Sequence, residues 1–228
     1  MTIAERIDPD VAVDQDALTA LVEGRHGDPF SFLGPHPVAS GMVVRTFQPG
    51  ARTVEVLEGG TGRALAPLQL IHPAGVFAGR LPERSIGGEG QPGRVQDTLV
   101  IGWADGSVQE TEDPYAFGPL LGELELYLLG EGTHLELSSV LGAHAGVVEG
   151  VHGVRFAVWA PNAQRVSLVG DFNAWDGRRH PKRLRQAAGI WEIFIPRIGV
   201  GARYKFEILG RDGTVLPLKA DPVARAAE

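Results

Sequence analysis

The 228-residue chain has no cysteine, which rules out disulfides and thiolate metal sites and fits a reducing cytoplasm. No apolar run approaches the roughly 18 residues of a membrane span. Residues 1–10 carry acids and Pro9 in place of a basic stretch with an apolar core, so no secretory signal is legible. Positive charge is short as well. With 21 Lys and Arg against 28 Asp and Glu the net charge is −7, which argues against nucleic acid as a partner. The seven histidines are scattered rather than clustered for a metal. No nucleophile-elbow, phosphate-loop or dinucleotide fingerprint occurs. The expectation is therefore no catalytic residue, no metal and no cofactor. What is abundant is turn chemistry: 31 Gly and 16 Pro favour many short strands over long helices.

The same landmarks then occur twice in one order, at a spacing of about 110 residues. The first set is Phe32-Leu33-Gly34-Pro35-His36, Phe47-Gln48-Pro49, Gly75-Val76-Phe77, Asp105-Gly106 and Asp113-Pro114. The second is Val140-Leu141-Gly142-Ala143-His144, Trp159-Ala160-Pro161, Gly189-Ile190-Trp191, Asp212-Gly213 and Asp221-Pro222. A period this long means two whole domains of one type, not a solenoid. Period-two alternation between Gly, Pro and Asp-Gly turns predicts antiparallel sandwiches. A short helix is expected over residues 14–24, with Asp14 as N-cap and Gly24 as stop. Residues 82–94 read as a Gly-rich loop. The stretch 117–142 is expected to be a packed helical connector with Leu120, Leu121, Leu124, Leu128 and Leu129 facing one way.

Two positions are weighed as a candidate ligand site, Trp175 and Lys205, the latter reading equally as a solvated strand residue. Trp175 lies in the turn-rich segment Gly170-Asp171-Phe172-Asn173-Ala174-Trp175 after a strand, where it is either a platform for a flat ligand face or a cap on the sandwich core. On Tyr204-Lys205-Phe206-Glu207-Ile208, alternation turns Lys205 and Glu207 away from the apolar face. Trp159 and Trp191 read as core residues of alternating strands. Arg178, Arg179, Lys182, Arg183 and Arg185 read as a solvated basic loop. Asp113 and Asp221 before prolines read as turn chemistry, and His36 and His144, in equivalent places, as a shared hydrogen-bonded turn.

The segments His26-Gly27-Asp28-Pro29-Phe30-Ser31-Phe32-Leu33-Gly34-Pro35-His36, Asp113-Pro114-Tyr115-Ala116-Phe117 and Gly130-Glu131-Gly132-Thr133-His134 resemble the N-terminal part of bacterial glycogen branching enzymes. Phe156-Ala157-Val158-Trp159-Ala160-Pro161-Asn162-Ala163 and Gly170-Asp171-Phe172-Asn173-Ala174-Trp175 resemble the family 48 carbohydrate-binding module of the same enzymes. The resemblance implies an all-β chain of two tandem immunoglobulin-like sandwiches: an N-terminal domain at 1–116, a connector at 117–142 and the carbohydrate-binding module at 143–228. It implies an α-glucan partner (glycogen, amylose or amylopectin), a cytoplasmic setting, a C-terminal catalytic barrel whose motifs are not found here, and sugar contacts at Trp175, Lys205 and Asn173. It leaves two other readings open: a structural docking module without a sugar site, or the matching part of a debranching or trehalose-forming enzyme. Related modules carry a second tryptophan after the Asp-Gly turn, where this chain has Thr214 and Val215.

Overall fold

A computed structural model describes residues 11, 13–38, 41–81 and 96–224; the Gly-rich stretch 82–94 lies outside them. The leading helix α1 (Gln15–Val22) starts where the Asp14 carboxylate accepts from the Asp16 N–H. It ends before Gly24, whose φ of +67° suits a glycine stop.

The first copy follows as β1 (Gly34–Val38), β2 (Gly41–Phe47), β3 (Ala51–Leu57), β4 (Ala64–His72), β5 (Val76–Leu81), β6 (Thr98–Trp103) and β7 (Val108–Glu112). All pairings are antiparallel in one seven-stranded sheet of order β1-β2-β5-β4-β3-β6-β7. Register shifts in β3 and β4 let that sheet curl over its own apolar face, where Val44, Val54, Phe77, Leu99 and Ile101 are buried together.

The connector contains two helices, α2 (Glu123–Gly130) and α3 (Leu137–Val140). Of its leucines before Gly130, Leu121 and Leu126 are buried and Leu124 is exposed, so the buried face is not the expected stripe of Leu120, Leu121, Leu124, Leu128 and Leu129. The second copy has β8 (Gly142–Val148), β9 (Val151–Trp159), β10 (Ala163–Gly170), β11 (Arg183–Arg185), β12 (Ile190–Pro196) and β13 (Tyr204–Gly210). It divides into a sheet of order β11-β12-β9-β8 and a β10-β13 pair, with Phe156, Leu168, Trp191 and Phe206 buried between them.

The repeat is visible in the backbone. The Gln48 N–H donates to Gly75 O at 2.8 Å, and the Ala160 N–H to Gly189 O at 3.0 Å. Both glycines have positive φ, +108° and +65°, and a Cβ would meet Gln48 O at 2.5 Å in one and Pro161 Cβ at 2.6 Å in the other. His36 and His144 each bond through Nε2 to the carbonyl three residues back, Leu33 and Leu141, at 3.0 and 2.9 Å. Asp113 and Asp221 each accept from the N–H two residues on, Tyr115 and Val223, at 3.0 Å, as turn residues do.

The basic run is not a solvated loop. Lys182 is fully buried, its Nζ 4.5 Å from the Phe206 ring centroid and donating to Phe156 O at 3.2 Å. Arg179 covers the Trp103 ring at 4.7 Å, and Arg183 covers Phe30 at 3.8 Å while donating to Phe117 O. The Tyr115 hydroxyl of the first copy reaches Arg179 O and Pro181 O, both at 3.3 Å. Guanidinium planes pair with aromatic faces as well as with carboxylates, so this run fastens the two copies together.

Candidate functional site

β10 ends at Gly170, where a side chain would strike the Arg203 carbonyl and the Phe172 ring. The chain then makes a one-turn 3-10 segment, Asp171–Asn173, and passes through two consecutive left-handed residues, Ala174 (φ 55°) and Trp175 (φ 59°). Left-handed backbone is costly for residues with a Cβ, so local bonds must hold it. Asn173 supplies them. Its Oδ1 accepts from the Gly170 N–H at 2.9 Å, and its Nδ2 donates to Leu168 O at 2.8 Å and meets His180 Nδ1 at 2.9 Å. Burial depresses the His180 pKa to about 3, so the ring is neutral and Nδ1 is the accepting nitrogen. The Trp175 N–H closes the turn on Gly170 O at 3.0 Å.

Below this turn, Phe172 packs on Phe156 and beside His180. Arg165, itself buried, donates to Ser167 Oγ at 2.7 Å and Gly177 O at 2.9 Å, and pairs with Glu207. Glu207 thus faces away from the core, as alternation requires, yet lies under the returning loop rather than in open water.

The Trp175 indole is 39% exposed, with its Nε1–H donated to Asp171 Oδ1 at 3.0 Å. The other Asp171 oxygen accepts from Arg203 Nε at 2.8 Å. The Arg203 guanidinium, followed by the indole N–H, holds the Asp171 carboxyl below its usual range. Lys205 is exposed and pairs in register with Val169, next to the Gly170–Tyr204 pair from which the turn departs. Trp175 and Lys205 therefore emerge at the same end of the β10-β13 pair. Asn173, by contrast, is fully buried with its amide engaged, so it shapes the turn and has no free group to offer a ligand.

Of the two tryptophans read as core, one is and one is not. Trp191 is buried and donates its Nε1–H to Ala160 O at 3.0 Å, but Trp159 is 61% exposed, a correction to its core reading. Its side chain shares the outer face of the sheet with Ala157 and Ile190, which the connector covers; the cover stops short of Trp159. Among the described residues no cluster of three or more metal-ligating side chains occurs, and no helix is long and apolar enough to cross a membrane.

The two halves of the chain match two family models. Residues 14–115 match the N-terminal domain of the alpha-1,4-glucan branching enzyme GlgB, and residues 140–224 match carbohydrate-binding module 48, the isoamylase N-terminal domain. A 1,4-alpha-glucan branching enzyme GlgB 2 of Rhizobium johnstonii is 56% identical over 98% of this chain, and GlgB of Pseudomonas fluorescens is 54% identical over 93%. The chain spans 29% and 27% of the length of those two relatives. A solved apo pullulanase from Klebsiella pneumoniae aligns over 94% of this chain and 24% of its own, at 17% identity and a TM-score of 0.29, and adds no weight beside them. The order of the two matched models and the identity along almost the whole chain place it in the N-terminal region of the GlgB 1,4-alpha-glucan branching enzyme family.

Proposed function

We propose that this chain engages α-glucan for a branching enzyme, holding a glucan segment on the Trp175 indole while Lys205 donates to sugar hydroxyls. The observation that supports it is the presentation of Trp175. An indole held half-exposed on a strained turn, its N–H already satisfied by Asp171, offers its apolar face to a pyranose ring and needs no further polar partner. Asn173 acts in this reading as a positioning residue beneath the turn. In this reading the chain comprises an N-terminal sandwich at 1–116, a helical connector at 117–142 and a carbohydrate-binding module at 143–228. The protein works in the cytoplasm on glycogen, amylose or amylopectin, with no nucleic-acid or membrane partner. Cleavage of an α-1,4 bond and transfer to a 6-hydroxyl belong to the part of the relatives that this chain does not span. The chain alone therefore leaves the iodine stain of amylose unchanged.

Electrophoresis in a gel containing amylopectin tests the glucan site. The wild type migrates more slowly than in plain gel, and Trp175→Ala removes most of that retardation; an unretarded wild type sinks the proposal.

A second role is favoured by a separate observation: Leu124, Tyr127, Leu135 and Leu137 are large apolar side chains left exposed on the connector. They fit docking against the catalytic barrel of the longer enzyme. In the full-length protein, Leu124→Ser with Tyr127→Ser lowers the melting temperature, while the same pair leaves this chain's own melting temperature unchanged. Equal effects in both would exclude docking.

A further inference from the structure

Phe47 and Trp159 hold the same place in the two copies. Each ends a strand and stands two residues before a proline. Each pairs across the sheet with the residue after the repeated glycine, Val76 or Ile190. Yet Phe47 is 1% exposed and Trp159 is 61% exposed. Since the local pairing is the same, the difference comes from what lies over the strand.

In the second copy the outer face of the four-stranded sheet is covered by the connector: Ala157 and Ile190 are buried under Leu126 and Leu129 of α2. That helix stops at Gly130, and a Cβ there would stand 3.4 Å from Ala187 O. Beyond the helix end an open groove of about 620 Å³ remains, with Trp159 and Pro161 on one side and Gly130, Gly132 and residues 186–189 on the other. Glu131 and Gln186 line it too, and their side-chain carboxylate and amide make no hydrogen bond among the described residues.

These features select a ligand. An apolar peptide would strip water from the Glu131 carboxylate and the Gln186 amide without replacing its hydrogen bonds. An anionic ligand would meet the Glu131 carboxylate in a chain of net charge −7. A neutral ring with one C–H face and several hydroxyl donors satisfies every wall: the face stacks on the indole, and the hydroxyls donate to the carboxylate and the amide oxygen. Glycine walls let it approach the backbone closely.

We infer that the Trp159 groove is a second α-glucan site, separate from Trp175 and on the other sheet, in which Glu131 and Gln186 orient a glucose ring over the indole. The inference rests on the glucan reading proposed above.

The four indole N–H signals in a ¹H–¹⁵N spectrum of the whole chain separate the two sites. They are assigned from single tryptophan substitutions and titrated with maltoheptaose. The Trp159 signal shifts saturably, keeps shifting in Trp175→Ala, and follows a curve at least about fivefold weaker in Glu131→Ala. Trp159→Ala leaves the Trp175 curve unchanged, and a cooperative urea transition in each variant shows that it is folded. If Trp159 stays still while Trp175 saturates, this inference fails and the first stands; if only Trp159 moves, the first fails and this one stands. Stillness of both ends both. Equal shifts with a β-1,4-linked oligosaccharide of the same length overturn the α-glucan assignment.

Discussion

A single indole at the end of β10 depends on two short acceptors of different kinds. Asn173 works from inside, replacing the bonds that a left-handed Ala174-Trp175 pair cannot make for itself. Truncating it strands buried groups at Gly170 and Leu168 without water to replace their partner. Asn173→Ala is expected to cost about 2 to 3 kcal/mol in urea unfolding and to remove the share of glucan retention that depends on Trp175. Asp171 works from outside: it is exposed and only orients the indole and Arg203. Asp171→Ala is expected to weaken retention about two- to tenfold while leaving the urea midpoint unchanged, because exposed ion pairs contribute little to stability. The sequence shows that an aromatic follows a strand and a turn, which is why Trp175 was legible. Whether its neighbour Asn173 faces a ligand or the core was not, because that depends on His180 and Leu168 closing over it. Trp159 failed for a similar reason: alternation assigns its face, but the end of a helix 29 residues earlier decides whether that face is covered.

At the level of elements, the connector and β12 explain each other. All seven residues of β12 are buried, including Glu192, which alternation alone would send to solvent. Its carboxylate accepts from the Leu120 and Leu121 N–H groups, both at 3.0 Å, and from Arg185 at 3.2 Å. Those bonds satisfy amides at the entry to α2, and Phe117 packs edge-on against Phe194 at 4.7 Å beside them. Removing the carboxylate leaves the two buried amides unpaired and Arg185 held only by Leu121 O and Glu123, so Glu192→Leu is expected to destabilise by about 2 to 4 kcal/mol. Hydrogen exchange over residues 121–130 should accelerate first, while β10-β13 amides stay protected; uniform acceleration would mean that α2 is not a separable element. The strands themselves were readable from their period and turns. The coverage of their outer faces was not, since it is made by residues with no period-two signal, and the basic run from Arg178 to Arg185 shows this most plainly. Read alone it is five charges around Pro181; in the molecule it lies against Trp103, Phe30 and Glu192.

Across the whole molecule the duplicated sandwiches share one junction, and that junction carries titratable groups far from their ordinary ranges. Burial lifts the Asp113 carboxyl to about 7 and lowers the Lys182 amine to about 7. Asp113 caps the turn whose Tyr115 hydroxyl bonds to Pro181 O, the carbonyl preceding Lys182, while Asp221 and Glu192 pull partly in favour of the charged amine. Each group changes stability only between its unfolded and folded values. Asp113 keeps its proton longer in the fold, so its contribution falls as pH rises from about 4 to 7. Lys182 loses its proton earlier in the fold, so its penalty is complete below about 7 and is relieved as pH climbs towards about 10. His180, neutral in the fold, adds a third slope: stability falls as pH drops from about 6.5 towards 3. Between pH 4 and 6.5 the Asp113 slope opposes that of His180, each at most about 1.4 kcal/mol per pH unit, while burial also lowers His26 and His36, so the Asp113 slope offsets only part of the wild type's loss of stability as the pH falls there. Asp113→Asn keeps the turn acceptor and removes one slope, leaving stability that rises more steeply with pH from 4 to 6.5. Lys182→Met removes the rise between 7 and 10 and stabilises the chain most at the acid end of that interval, since no ammonium then has to be buried. Urea unfolding of the three proteins at unit steps from pH 4 to 10 measures all of this. Parallel profiles would show that the buried charges at the junction do not register in folding.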